Sequence, residues 1–218
     1  MINIELQKRI LSSLILIPVS LFFIIKGNFL FYFFISICFL VTSYEWHKMS
    51  LKKTYYLMGF IFLIISFYSA YKIRTTMGGD YIYFLIILLI CISTDIGGYI
   101  FGKFFKGPKL TKISPKKTYS GVIGGYLFSI IILSLCLSTS LLTKPQELNF
   151  ETFILIIIIS TISQIGDIII SYFKRLSKIK DTGKIIPGHG GLLDRIDGMI
   201  FAFPFAYLIF KINIFQYF

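Results

Sequence analysis

The sequence predicts an all-α, polytopic integral membrane protein of about seven transmembrane helices, N-terminus inside and C-terminus outside. Three observations carry that reading. Of 218 residues, 56% are hydrophobic and 15% charged, with a mean hydropathy of +0.82; an ordinary soluble domain has about 45–50% apolar and about 25% charged residues. The apolar excess is gathered into long blocks instead of alternating every second residue, which selects helices over a barrel. Lysine and arginine are divided unevenly between alternate connecting segments.

The blocks cover about residues 10–25, 29–44, 54–71, 81–101, 122–142, 153–172 and 196–210. Each comes near the roughly 20 residues that a hydrocarbon core requires. The last is the shortest and has room to begin earlier, at the glycines before it. The first follows Lys8 and Arg9, as in a signal peptide, but Lys26-Gly27-Asn28 after it offers no small-residue cleavage pattern. It reads as a retained helix. With the N-terminus inside, the inner segments hold 17 lysines and arginines and the outer segments 5. This split fixes the expected orientation. It also puts the fourth-to-fifth and sixth-to-seventh loops on one face, where they can build one site. The chain 1–218 reads as a single membrane domain, with N-terminal helices in 1–80 and the chemistry in 81–218.

The net charge of +12 sits in these short loops. Topology therefore explains it, the bilayer is the implied partner, and no nucleic acid is called for. Cys38, Cys91 and Cys136 all fall inside apolar blocks, so neither a disulfide nor a zinc site is expected. The first three helices carry little recognisable chemistry. Trp46 reads as an aromatic interface anchor, and His47, beside Glu45, as a solvated helix-end residue.

Asp95 lies within the fourth block. A carboxylate at that depth faces a cavity or a partner, and a lysine pair or a bond to Ser93 or Thr94 is the plainer alternative. Gly97, Gly98 and Gly102 beside it permit close helix packing. The loop that follows contains Ser114-Pro115-Lys116-Lys117-Thr118, and Gly121, Gly124 and Gly125 open the next helix. Two adjacent ammonium groups near a helix N-terminus attract phosphate, or merely anionic lipid heads. In the sixth block Asp167, Ser171 and Lys174 share one helix edge at spacings of four and seven. The most polar long stretch, 171–197, then holds Arg175, the turn Pro187-Gly188-His189-Gly190-Gly191, and Asp194, Arg195 and Asp197. His189 is either a phosphate or acid–base group or a brace for the turn. Asp194 and Asp197, three residues apart, share a face if helical. Together with Asp167 they are candidates for one hard divalent cation; helix capping is the alternative.

That stretch resembles the C-terminal pattern of bacterial phosphatidate cytidylyltransferases, the CDP-diacylglycerol synthases. The matching positions are Ser171, Lys174, Arg175, Lys180, Asp181, Pro187 to Gly191, Asp194, Arg195 and Asp197. The segment from Asp95 through 114–118 to Gly125 is similar to the family as well, whereas 1–80 match only as hydrophobic helices. Two positions depart from it: Ser120 and Ile170 stand where the family usually has Glu. The resemblance implies cytidylyl transfer from CTP to phosphatidate with Mg²⁺, a potassium ion beside it, in a homodimer of the inner membrane with its site facing the cytoplasm. It implies Asp167, Asp194 and Asp197 as the metal group and, with Lys174 and Arg175, as the catalytic set. Ser114, Lys116, Lys117, Thr118, Ser171, His189 and Arg195 would bind substrate. Three other classes share parts of this pattern. A CDP-alcohol phosphotransferase would show a second acidic run after Asp197-Gly198, and none follows. An anion transporter would show internal repeats, which are not evident. An inactive relative would explain the two replaced acids.

Overall fold

The computed structural model describes residues 4–76, 81–111, 113–139 and 148–212. Lys112 and Lys144, two of the cations used to set orientation, lie outside them. The chain runs α1 (Ile4–Lys26), α2 (Asn28–Ser50), α3 (Tyr56–Thr75), α4 (Ile82–Phe105), α5 (Tyr119–Ser138), α6 (Phe150–Leu176), α7 (Leu193–Ile196) and α8 (Met199–Lys211). Six of these helices are long and apolar enough to cross a membrane, and α8 is a shorter apolar helix. At 1.5 Å per residue its 13 residues reach about 20 Å. Asp197 and Gly198 keep helical backbone angles, however, so α7 and α8 form an almost continuous run from residue 193. The seventh block thus begins at its glycine-rich approach.

Helices α4, α5 and α6 pack together, α8 fills the angle between α3, α4 and α6, and α1 packs along α2, with Arg74 of α3 donating to its Ile24 carbonyl at 2.8 Å. The core mixes aliphatic and aromatic side chains: Ile86, Ile87 and Ile90 of α4 share a cluster with Leu133 of α5, Ile156 and Ile159 of α6, Ala202 and Ala206 of α8, and the rings of Phe31, Phe84 and Phe203. Below it lies a buried hydroxyl layer in which Ser160 bonds Thr94 at 2.8 Å and Ser129 at 3.0 Å. The α4–α5 seam is made of glycines. A Cβ at Gly97 would stand 2.5 Å from the Gly124 carbonyl oxygen, and one at Gly121 2.8 Å from that of Gly98. The two backbones therefore touch, as the run of small residues leads one to expect.

Capping explains where α5 and α6 start. Thr118 Oγ1 accepts the Gly121 N–H at 3.1 Å, and Asn149 Oδ1 accepts the Thr152 N–H at 2.8 Å. The start of α1, the end of α2, the α4–α5 loop and the α6–α7 segment all meet at one end of the bundle. Trp46 departs from its expected role as an interface anchor. It is buried, donates its indole N–H to the Tyr56 carbonyl at 3.0 Å, and packs edge-on against Phe173 of α6. Gly59 leaves the space its ring occupies.

Candidate active site

Asp167 is the hub of the site. Its Oδ2 pairs with Lys117 Nζ at 2.5 Å, and its Oδ1 accepts from Ser171 Oγ at 3.3 Å, one turn along α6. Lys117 arrives on a tight loop. Its N–H reaches the Ser114 carbonyl at 3.0 Å, its own carbonyl accepts from Leu110 at 2.8 Å, and Lys109 and Thr118 bridge the two arms. Lys117 Nζ also donates to the Gln164 carbonyl at 3.4 Å. These contacts aim the loop at a cavity of about 290 Å³ between α4, α5 and α6. Asp95, Ser114, Lys116, Lys117, Thr118, Gln164 and Asp167 line it. Asp95 is not engaged by its neighbours: Ser93 and Thr94 donate to helix carbonyls of α4. Two loop lysines and two membrane-depth acids thus meet in one open space.

A second group stands beside it. Lys174 Nζ lies 2.9 Å from Asp194 Oδ1 and 4.0 Å from Asp197 Oδ2. Asp194 Oδ2 accepts two backbone N–H groups, from Thr182 at 2.8 Å and Gly191 at 3.0 Å. Burial pushes the Asp194 carboxyl upward, but the Lys174 ammonium and those two N–H groups outweigh it and hold it below the ordinary carboxylate value. Asp197 is buried, its Oδ1 accepts the Gly198 N–H at 3.0 Å, and its carboxyl is in electrostatic range of those of Asp167 and Asp95. The acids that share one neighbourhood are therefore Asp95, Asp167 and Asp197. Asp194 is held back behind Lys174, with both oxygens engaged. Among the described residues, nowhere do three or more His, Cys, Asp or Glu side chains close up into a metal cage.

The remaining candidates lie off the cavity. Arg175 donates to the Ile179 carbonyl at 3.0 Å and finishes α6. Arg195 donates from Nε and Nη2 to the His189 carbonyl at 3.1 and 2.8 Å. The His189 ring is clasped by α1, with Ser12 Oγ 2.8 Å from Nδ1 and Ser13 Oγ 3.3 Å from Nε2, while Arg9 donates to the Gly188 carbonyl at 2.8 Å. Gly188 and Gly190 both take positive φ, 77° and 91°, which the turn requires. Ile170 is buried in an apolar cluster with Trp46 and Leu193. The Ser120 hydroxyl bonds the Lys106 carbonyl and the hydroxyl of Thr118.

Glu45 escaped the sequence reading. It looks like a helix-end acid beside solvated neighbours, yet it is 1% exposed and binds the segment before α7. Its one sequence signal is scarcity, since the chain has ten acids in all.

An apolar bundle that gathers lysines and carboxylates around an open cavity at one end defines a membrane-embedded enzyme of phosphate chemistry. Residues 50–213 match the model of the cytidylyltransferase family. A protein of Rickettsia typhi named phosphatidate cytidylyltransferase is 37% identical over 215 residues, covering 95% of this chain and 91% of that protein. Its namesake in Rickettsia felis is 37% identical over 210 residues, covering 92% and 90%. The Brucella suis protein of that name is 40% identical over 117 residues, covering 53% and 42%. The chain belongs to the cytidylyltransferase family.

Proposed function

We propose that this chain transfers the cytidylyl group of CTP to phosphatidate, giving CDP-diacylglycerol and pyrophosphate in phospholipid biosynthesis. The shared name of the relatives supports the substrates. The observation that carries the site is the meeting of Lys116 and Lys117 with Asp95 and Asp167 in one cavity at the end of the bundle. An oxygen of the lipid phosphate attacks the α-phosphorus of CTP, and the bond to the β-phosphate breaks. Both partners are anions, so the cost to overcome is their repulsion and the charge on the leaving pyrophosphate. Lys116, exposed at the cavity wall, meets incoming phosphate. Lys117 exchanges part of its hold on Asp167 for a phosphate oxygen. Asp167, Ser171 and Asp197 keep the acidic side in place, and Lys174 offsets the charge of Asp197 from behind. No covalent nucleophile is needed, because the lipid supplies one.

Mg²⁺ fits this donor set. Asp167 and Asp197 are apposed carboxylates, a repulsive arrangement that a cation relieves. Magnesium characteristically takes one or two carboxylates with waters and substrate phosphates, instead of a full protein cage. Asp167 and Asp197 would hold it, and when bound it supplies charge neutralisation to the reacting phosphates. A potassium ion beside it belongs to the same proposal. The 17-to-5 cation split supports a site facing the cytoplasm, and the bacterial relatives support an inner membrane. Lipid then enters from the bilayer and CTP from water.

The test is label transfer. Purified protein, given cytidine-labelled CTP, phosphatidate and Mg²⁺, should move label into the organic phase, and omission of phosphatidate or chelation of the metal should stop it. No label with folded protein and several acyl chains would refute the assignment.

A further inference from the structure

The α6–α7 segment carries Thr182, Gly191 and Asp194, yet it has little regular structure of its own, so something else must fix its shape. The α1 clasp holds the turn at residues 187–189, and a side chain 137 residues before Thr182 holds the ends of the segment. Glu45, at the end of α2, accepts the Thr182 hydroxyl and the Leu193 N–H on Oε2, at 3.0 and 2.7 Å, and the Leu192 N–H on Oε1 at 2.9 Å. Gly183 and Gly191 are shaped to it. A Cβ at Gly183 would lie 2.6 Å from Oε1, and one at Gly191 2.6 and 2.7 Å from the two oxygens. Among the described residues no lysine or arginine ion-pairs with Glu45. Its buried charge is met by N–H and O–H donors alone, an arrangement that is costly unless every donor is in place.

Thr182 is common to both carboxylates, and Gly191, packed against the Glu45 oxygens, is the other backbone group that holds Asp194. The N–H groups of Thr182 and Gly191 both reach Asp194 Oδ2, while Asp194 Oδ1 holds Lys174, which stands 4.0 Å from Asp197. A continuous chain of contacts runs from Glu45 through the segment to Asp194, Lys174 and Asp197. We propose that Glu45 is a positioning residue for the reaction, fixing residues 182–193 and through them the Asp194–Lys174 pair behind Asp197. This rests on the cytidylyl-transfer reading of the site. Glu45 touches no substrate. It sets where the Lys174 charge sits against the acids.

Glu45→Gln tests this with little change of volume. The amide turns one acceptor into a donor that faces an existing donor, so at least one anchor is lost. Supporting shells of this kind typically contribute about 10–100-fold to activity. The expected result is a fall in kcat of that size per folded molecule, with the KM for CTP and for phosphatidate within about 3-fold of wild type. A readout independent of activity accompanies it: tryptic cleavage after the exposed Lys180 and Lys184 in intact membranes should quicken several-fold. Thr182→Val, which removes one of the same bonds, should lower kcat less. Combined with Glu45→Gln it should cost less than the product of the two effects, because both break one network. Unchanged kcat overturns the proposal, whether or not cleavage quickens, since a purely structural anchor leaves turnover per folded molecule alone. Independent, multiplicative effects of Glu45→Gln and Thr182→Val overturn it as well. If the wild type transfers no label, the cytidylyl-transfer reading fails. Unchanged cleavage in Glu45→Gln then separately refutes the anchoring.

Discussion

Lys174 lies between two carboxylates and so divides the acids into two kinds. Asp194 is a structural partner: its side chain is 4% exposed, and it shares with Lys174 a pair screened from water. Asp197 stands farther from Lys174, at 4.0 Å, and within electrostatic range of Asp167. The two should respond differently to the same substitution. Asp194→Asn leaves a buried ammonium without its nearest anion, which for buried pairs costs on the order of 3 kcal/mol. The expected outcome is a marked fall in thermal midpoint in detergent and reduced yield from membranes. Asp197→Asn removes a like charge beside Asp167 and should leave yield and midpoint near wild type while label transfer drops at least ~100-fold. Retained turnover in Asp197→Asn would take that residue out of the reacting centre. Spacing alone could not separate the two acids, because residues three apart on a helix share a face. What separates them is Thr182 and Gly191, whose N–H groups claim Asp194.

At the scale of elements, two contacts invite measurement. The α4–α5 seam leaves no room for a methyl group at Gly97, where a Cβ would stand 2.5 Å from both the Gly124 carbonyl oxygen and Phe128 Cβ. Gly97→Ala should force the helices apart at a cost of about 1–3 kcal/mol, seen as a lower thermal midpoint, and should widen the cavity that Asp95 and Thr118 share. The other contact is the clasp between α1 and the turn at His189. Burial first, then the Arg195 guanidinium, hold the His189 pKa below its usual 6.5 against an upward pull from the Pro187 backbone, and Arg9 adds a smaller downward push. The unfolded chain therefore binds a proton that the folded one resists. The stabilisation is complete above about pH 6.5 and is lost as pH falls through the folded value. Thermal midpoints taken from pH 7.5 down to 5.5 should decline in wild type and decline less in His189→Gln. Equal declines would mean that other groups carry the acid sensitivity.

For the whole molecule, the helices and the loop lysines were legible because they are local. Continuous apolar runs mark spans, and Ser114 to Thr118 is one uninterrupted loop with two adjacent lysines. The helix edge of Asp167, Ser171 and Lys174 was legible too, through its spacing. Glu45 and Trp46 were not. Each is buried by a partner more than 100 residues away, Leu193 for one and Phe173 for the other, and neither pairing leaves a periodic trace. His189 looked like a site group because glycines surround it, and only the fold reveals that α1 occupies its ring. The acids and lysines that meet at the cavity come from α4, the α4–α5 loop and α6, so its chemistry depends on three helices keeping register. Asp167 is where all three converge. The most direct measurement is therefore label transfer from CTP to phosphatidate by purified wild type and Asp167→Asn, side by side at matched amounts of folded protein. Phosphatidate-dependent label in the wild type and a loss of at least ~100-fold in the variant is the predicted result. Turnover in Asp167→Asn within a few-fold of wild type would contradict it and move the reaction away from this cavity.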